Sequence, residues 1–110
     1  MKRKFKTCEK VVICNSELID NDSMSVISDF VCYGNALNTY SEEIDGVMTT
    51  CIKAIGSNGN IYIDRDDPDG IYFLSEDEFM ERLAIEKTLF PDRIDKINEM
   101  ELALKVFYMG

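Results

Sequence analysis

Two periods of hydrophobic and polar positions run along this chain, and they divide it near residue 75. Val47-Met48-Thr49-Thr50-Cys51-Ile52-Lys53-Ala54-Ile55 is rich in β-branched side chains and reads as a strand. Ser57-Asn58-Gly59-Asn60 follows it. Asn-Gly is a strong short hairpin signal, because both residues tolerate the positive φ of a type I′ turn. Ile61 to Asp64 then reads as a second strand. With Asn58 and Gly59 as the two loop residues, Ile55 falls opposite Tyr62, Ala54 opposite Ile63 and Lys53 opposite Asp64. That register joins aliphatic to aromatic and cation to carboxylate, both favourable across strands. Asp67-Pro68-Asp69-Gly70 has Asp, Pro and Gly where a type I turn wants them. Ile71-Tyr72-Phe73-Leu74 is the third strand of an antiparallel meander over 47–74.

Beyond Leu74 the period becomes helical. Ser75 is a helix cap and Glu78, three residues on, completes a capping box, with Leu74 and Phe79 placed as a hydrophobic staple. Glu76 and Asp77 face the positive end of the helix dipole. Phe79, Met80, Leu83, Ala84 and Phe90 give one apolar face, so a helix is predicted over 76–90. Pro91 interrupts it, and Ile94, Ile97, Met100, Leu104 and Phe107 predict a second helix over 92–108. Upstream the pattern is weaker. Phe5 to Asn15 reads as a strand, Glu17 to Ser23 as a polar loop and Asn35 to Glu43 as another loop. Ser25 to Tyr33 fits a short helix or a strand equally well. The predicted class is α+β: an antiparallel sheet of three to five strands packed against two C-terminal helices.

At 110 residues the chain fits a single domain over 1–110, with residues 1–4 expected to be mobile, and it is long enough to build one core without covalent staples. No apolar run approaches the roughly 20 residues that cross a bilayer. Met1-Lys2-Arg3-Lys4 imitates the basic start of a signal peptide, but Lys6, Glu9 and Lys10 fall where its apolar segment belongs, so a cytoplasmic setting is expected. The four cysteines, at 8, 14, 32 and 51, are expected to be reduced. Their closest spacing is C-x5-C and the chain has no histidine, which argues against zinc.

Charge changes the picture most. Residues 1–40 hold five basic and five acidic side chains, whereas 41–110 hold seven and sixteen and so carry the whole net charge of −9. Residues 64–81 alone hold eight acids against Arg65. Such a field repels nucleic acid and attracts basic surfaces. A calcium loop anchored on Gly70 would put Arg65 at its first ligand position, which defeats it. Without histidine the Cys–His and Ser–His nucleophile schemes are absent, and no phosphate-binding glycine loop is present. The expectation is therefore a non-enzymatic acidic protein, without cofactor or metal, that binds neither membrane nor nucleic acid directly. It engages and inhibits a basic partner, such as a nucleic-acid enzyme, through Asp66, Asp67, Asp69, Glu76, Asp77 and Glu81. By size and charge alone the chain is similar to small acidic α+β inhibitors of host nucleases encoded by phages, anti-CRISPR and anti-restriction proteins among them. Two alternatives are an acidic metal-binding module or metal-dependent phosphodiesterase using the same carboxylates, and a structural subunit whose acids only keep it soluble.

Overall fold

The computed structural model describes residues 5–16, 29–65 and 70–109. Among the described residues there are five strands: β1 (Lys10–Asn15), β2 (Phe30–Ile44), β3 (Val47–Gly56), β4 (Ile61–Asp64) and β5 (Ile71–Leu74). Helix α1 (Glu76–Leu89), a 3₁₀ turn at Pro91–Arg93 and helix α2 (Ile94–Met109) complete the chain. The strands form one antiparallel sheet of meander-like order, β4-β3-β2-β1-β5, so the α+β class with two C-terminal helices holds. The last strand departs from the expected 47–74 meander. β5 takes its ladder partner from β1, with Ile13 opposite Phe73, and not from β4.

Both faces of the sheet are covered. Val12, Cys14 and Leu74 meet Phe79 and Leu83 of α1 and Ile97, Met100 and Leu104 of α2. Val11, Ile13, Cys32, Ala36, Ile52, Ala54 and Phe73 form a second cluster on the opposite face, joined by Phe5. This explains why Val11 to Cys14 is apolar without alternation: these four side chains enter the two cores in turn. Among the described residues no helix lies on the second face, where the outer strands β4 and β5 approach one another. The outer strands β4 and β5 meet where the buried carboxylate of Asp64 accepts the Phe73 N–H at 3.0 Å.

Two glycines permit this approach. Gly34 and Gly56 are register partners across β2 and β3. A Cβ on Gly34 would lie 2.5 Å from the Ile55 carbonyl oxygen, and one on Gly56 would lie 2.8 Å from Cys32 Sγ. Irregularities in the β1–β2 register at Ile13/Cys14, and in β2–β3 between Ala36 and Asn38, add to the bend.

The β3–β4 hairpin exists but its register is one residue off expectation. Ile55 stands opposite Ile61, Ala54 opposite Tyr62, Lys53 opposite Ile63 and Ile52 opposite Asp64. The loop holds three residues, Ser57 to Gly59. Gly56 N–H donates to Asn60 O at 2.8 Å and Gly59 N–H to Gly56 O at 2.9 Å. Gly59 (φ +87°) takes a positive φ and Asn58 does not, which is the three-residue hairpin closed by a left-handed glycine. A one-residue slip exchanges faces. Asp64 therefore turns inward to the β4–β5 seam and does not stand opposite Lys53.

The expected loop over Asn35 to Glu43 is strand. It pairs with β3 down to a tight turn at Asp45-Gly46, whose φ values of +52° and +79° are those of type I′. Phe30 to Tyr33 is strand as well, while residues 25–28 and the loop expected over 17–23 lie outside the described residues. At the N-terminal end the strand begins at Lys10, later than expected, because Lys6 to Glu9 makes a turn. Lys10 Nζ donates to the carbonyls of Phe107 (2.9 Å) and Tyr108 (3.4 Å), satisfying the free end of α2. Tyr108 OH donates back to Lys10 O at 2.9 Å.

Candidate acidic surface

The local order around α1 is set by its cap. Ser75 Oγ accepts the Glu78 N–H at 3.2 Å and the Glu78 carboxylate accepts the Ser75 N–H at 3.1 Å. This capping box satisfies two of the four free donors of the first turn. It also removes Glu78 from the set of carboxylates available to a partner, as burial at the seam removes Asp64.

Of the expected site residues, Glu76 is half-buried while Asp77 and Glu81 are exposed. Asp77 and Glu81 stand one helical turn apart on the same side of α1. Among the described residues neither makes an ion pair. Their mutual repulsion is about a few tenths of a kcal/mol, and Asp77, in the first turn, is favoured by the positive end of the helix dipole, which Glu81 lies beyond. Asp66, Asp67 and Asp69, together with the expected type I turn, lie outside the described residues. Arg65 Nε lies 3.7 Å from Glu42 Oε2, a half-exposed pair of little energetic weight. Among the described residues no group of three or more His, Cys, Asp or Glu side chains is arranged to hold a metal ion.

A second polar group, half-buried where β5 meets α1, carries no signal in the sequence. Tyr72 OH donates to Asp29 Oδ2 at 2.7 Å, and the Arg82 guanidinium lies 5.8 Å from the Tyr72 ring centre. Burial pushes the Cys14 thiol up to about 12, against the opposing effect of its hydrogen bond with Tyr72. Burial, then the neighbouring Cys14 and Asp29, push the Tyr72 phenol upward as well. Both groups are thus neutral at physiological pH, and neither is an activated nucleophile or base. The network orients Asp29 and the start of β2. Glu86 is also buried, on the core side of α1, and neither of its carboxylate oxygens has a hydrogen-bond partner among the described residues.

Comparison of the chain with protein-family models, with curated proteins and with solved structures found no match.

Proposed function

We propose that this chain is a non-enzymatic acidic binding protein that engages, and inhibits, a basic nucleic-acid-binding protein through the carboxylates at the start of α1 and those of Asp66, Asp67 and Asp69 before it. The observation that carries the reading is the concentration of charge: eight acids against one base over 64–81, of which Asp77 and Glu81 are exposed and without ion pairs among the described residues. Carboxylates held on a capped helix are presented in fixed positions, which favours their pairing with Arg and Lys that otherwise hold phosphates. The acids with structural duties, Asp64 and Glu78, are not part of the binding set.

The test is affinity capture from a cell lysate at low and high salt, with the wild type and with a variant in which Asp66, Asp67, Asp69, Asp77 and Glu81 become Lys or Ser. The expected result is a nucleic-acid-binding protein recovered by the wild type at low salt, released by salt and not recovered by the variant. Recovery of the same partner by the charge-reversed chain would defeat the reading.

A further inference from the structure

We propose that Asn58 is a site of spontaneous deamidation which the closed β3–β4 hairpin restrains, so that opening of the hairpin sets the rate at which the protein gains a carboxylate there. Asn58-Gly59 joins a chemically labile side-chain amide to a following residue with no Cβ to hinder attack. The backbone nitrogen of Gly59, having lost its proton to hydroxide, attacks Asn58 Cγ. The new C–N bond closes a five-membered succinimide. The side-chain nitrogen takes a proton from water and leaves as ammonia. Water then adds to one of the two ring carbonyls and opens the ring to aspartate or isoaspartate. The sum is one amide and one water giving one acid and one ammonia.

Solvent reaches the site: Asn58 and Gly59 are exposed, and a Cβ built on Gly59 would meet nothing within 4 Å. Three hydrogen bonds oppose the reaction, one at each group that must change. Gly59 N–H donates to Gly56 O at 2.9 Å, which engages the proton that has to be lost. Asn58 Nδ2, the leaving nitrogen, donates to Tyr62 OH at 2.8 Å. Asn58 Oδ1 accepts the Asn60 N–H at 3.0 Å and fixes the carboxamide plane. The side chain also lies close over Gly56, where a Cβ would stand 2.7 Å from Asn58 Oδ1.

Backbone geometry acts in the same direction. The turn closed by Gly56 and Gly59 leaves Asn58 as its second central residue, for which a type I turn has ψ near about 0°. Ring closure needs Asn58 Cβ and Gly59 N eclipsed about the Cα–C bond of Asn58. That rotation carries the Gly59 N–H away from Gly56 O, so the reactive conformer belongs to an opened loop. Openings at a loop tip lie at the low end of the free-energy range, well below global unfolding. The two products also differ in what the hairpin can keep. An aspartate at this position still accepts the Asn60 N–H, and Tyr62 OH reverses to donate to it. Isoaspartate brings Cβ into the main chain and lengthens a loop that closes over three residues.

The test incubates the full chain at mildly alkaline pH, folded in buffer and unfolded in guanidinium chloride. Mass spectrometry follows the fragment that carries Asn58, with isoaspartate counted separately. Deamidation at Asn58 is expected to be at least about tenfold slower in the folded chain, since its hydrogen bonds must open first. Tyr62→Phe removes the acceptor of the leaving nitrogen and nothing else of the ring. It is expected to deamidate about three- to tenfold faster than the wild type when folded, and at the same rate when unfolded. Hydrogen exchange of the wild-type Gly59 amide keeps the test decisive if this variant loses the fold. Guanidinium chloride below the unfolding transition should speed Gly59 exchange and Asn58 deamidation by the same factor. Equal rates in the folded and unfolded chain, a folded Tyr62→Phe variant no faster than the wild type, or deamidation that does not follow Gly59 exchange would each overturn the proposal.

Discussion

Cys8 and Cys14 are chemically the same side chain in opposite circumstances. Cys8 is exposed, whereas Cys14, Cys32 and Cys51 are buried. The thiolate is the reactive form, and burial holds Cys14 protonated up to about 12. Iodoacetamide at pH 8 is therefore expected to label the native protein at Cys8 alone, and mass spectrometry after brief treatment would show one adduct. The same shift sets an alkaline limit. The folded state raises Cys14 from 9.0 to about 12, so it favours the neutral thiol. The stability this contributes is complete below pH 9 and is lost as pH rises from 9 to 12, with Tyr72 acting in the same direction. Urea midpoints should fall across that window, and less steeply in Cys14→Ala. Glu86 makes the opposite case. A buried carboxylate with no hydrogen-bond partner among the described residues costs stability, so Glu86→Met is expected to gain about 1–2 kcal/mol in urea unfolding. A lower midpoint would show that Glu86 has a stabilising role.

At the scale of elements, local rules were legible and distant ones were not. The capping box at Ser75, the two helices and strands β3 and β4 follow from residues within a few positions of one another, and all are present. β2 escaped because the irregularity beyond Ala36 breaks its alternation and because its far half, in a ribbon wet on both faces, needs no apolar side. The signal that would have found it is Asp45-Gly46, a hairpin dipeptide as strong as Asn58-Gly59. The register error at Asn58-Gly59 came from counting two loop residues where the chain uses three. As for the site, Asp77 and Glu81 are exposed and Glu76 is half-buried, while Asp66, Asp67 and Asp69 lie outside the described residues. The pairing of β1 with β5 and the Asp29–Tyr72 contact depend on residues tens of positions apart, for which no local pattern exists, and the inward turn of Asp64 follows from the hairpin register. The glycine pair is the element-level feature most open to test. Gly34→Ala puts a methyl against the Ile55 carbonyl, and because that neighbour is backbone it cannot step aside. A loss of about 2–3 kcal/mol in urea unfolding is expected, and a neutral result would mean the sheet bends elsewhere.

For the whole molecule, closure rests on few groups. β4 and β5 are the ends of the ladder, and the Asp64 carboxylate supplies a hydrogen bond where no strand partner exists. Asp64→Ala leaves the Phe73 N–H without that acceptor, at a cost of about 1–3 kcal/mol. Faster exchange of the Phe73 amide, ahead of amides in β2, would locate the opening at the seam. The clamp between Lys10 and the end of α2 spans a sequence separation of 97 and 98 residues. β1 also gives side chains to both cores, as β5 does through Phe73 and Leu74. During synthesis, then, a ribosome must release residue 108 before the first strand can acquire its last partners. Every shorter nascent chain presents β1 half-covered, with Val12 and Cys14 lacking the α2 part of their cover. Burial of β1 is therefore expected to wait on α2, since a chain lacking that helix leaves Val12 and Cys14 without part of their cover.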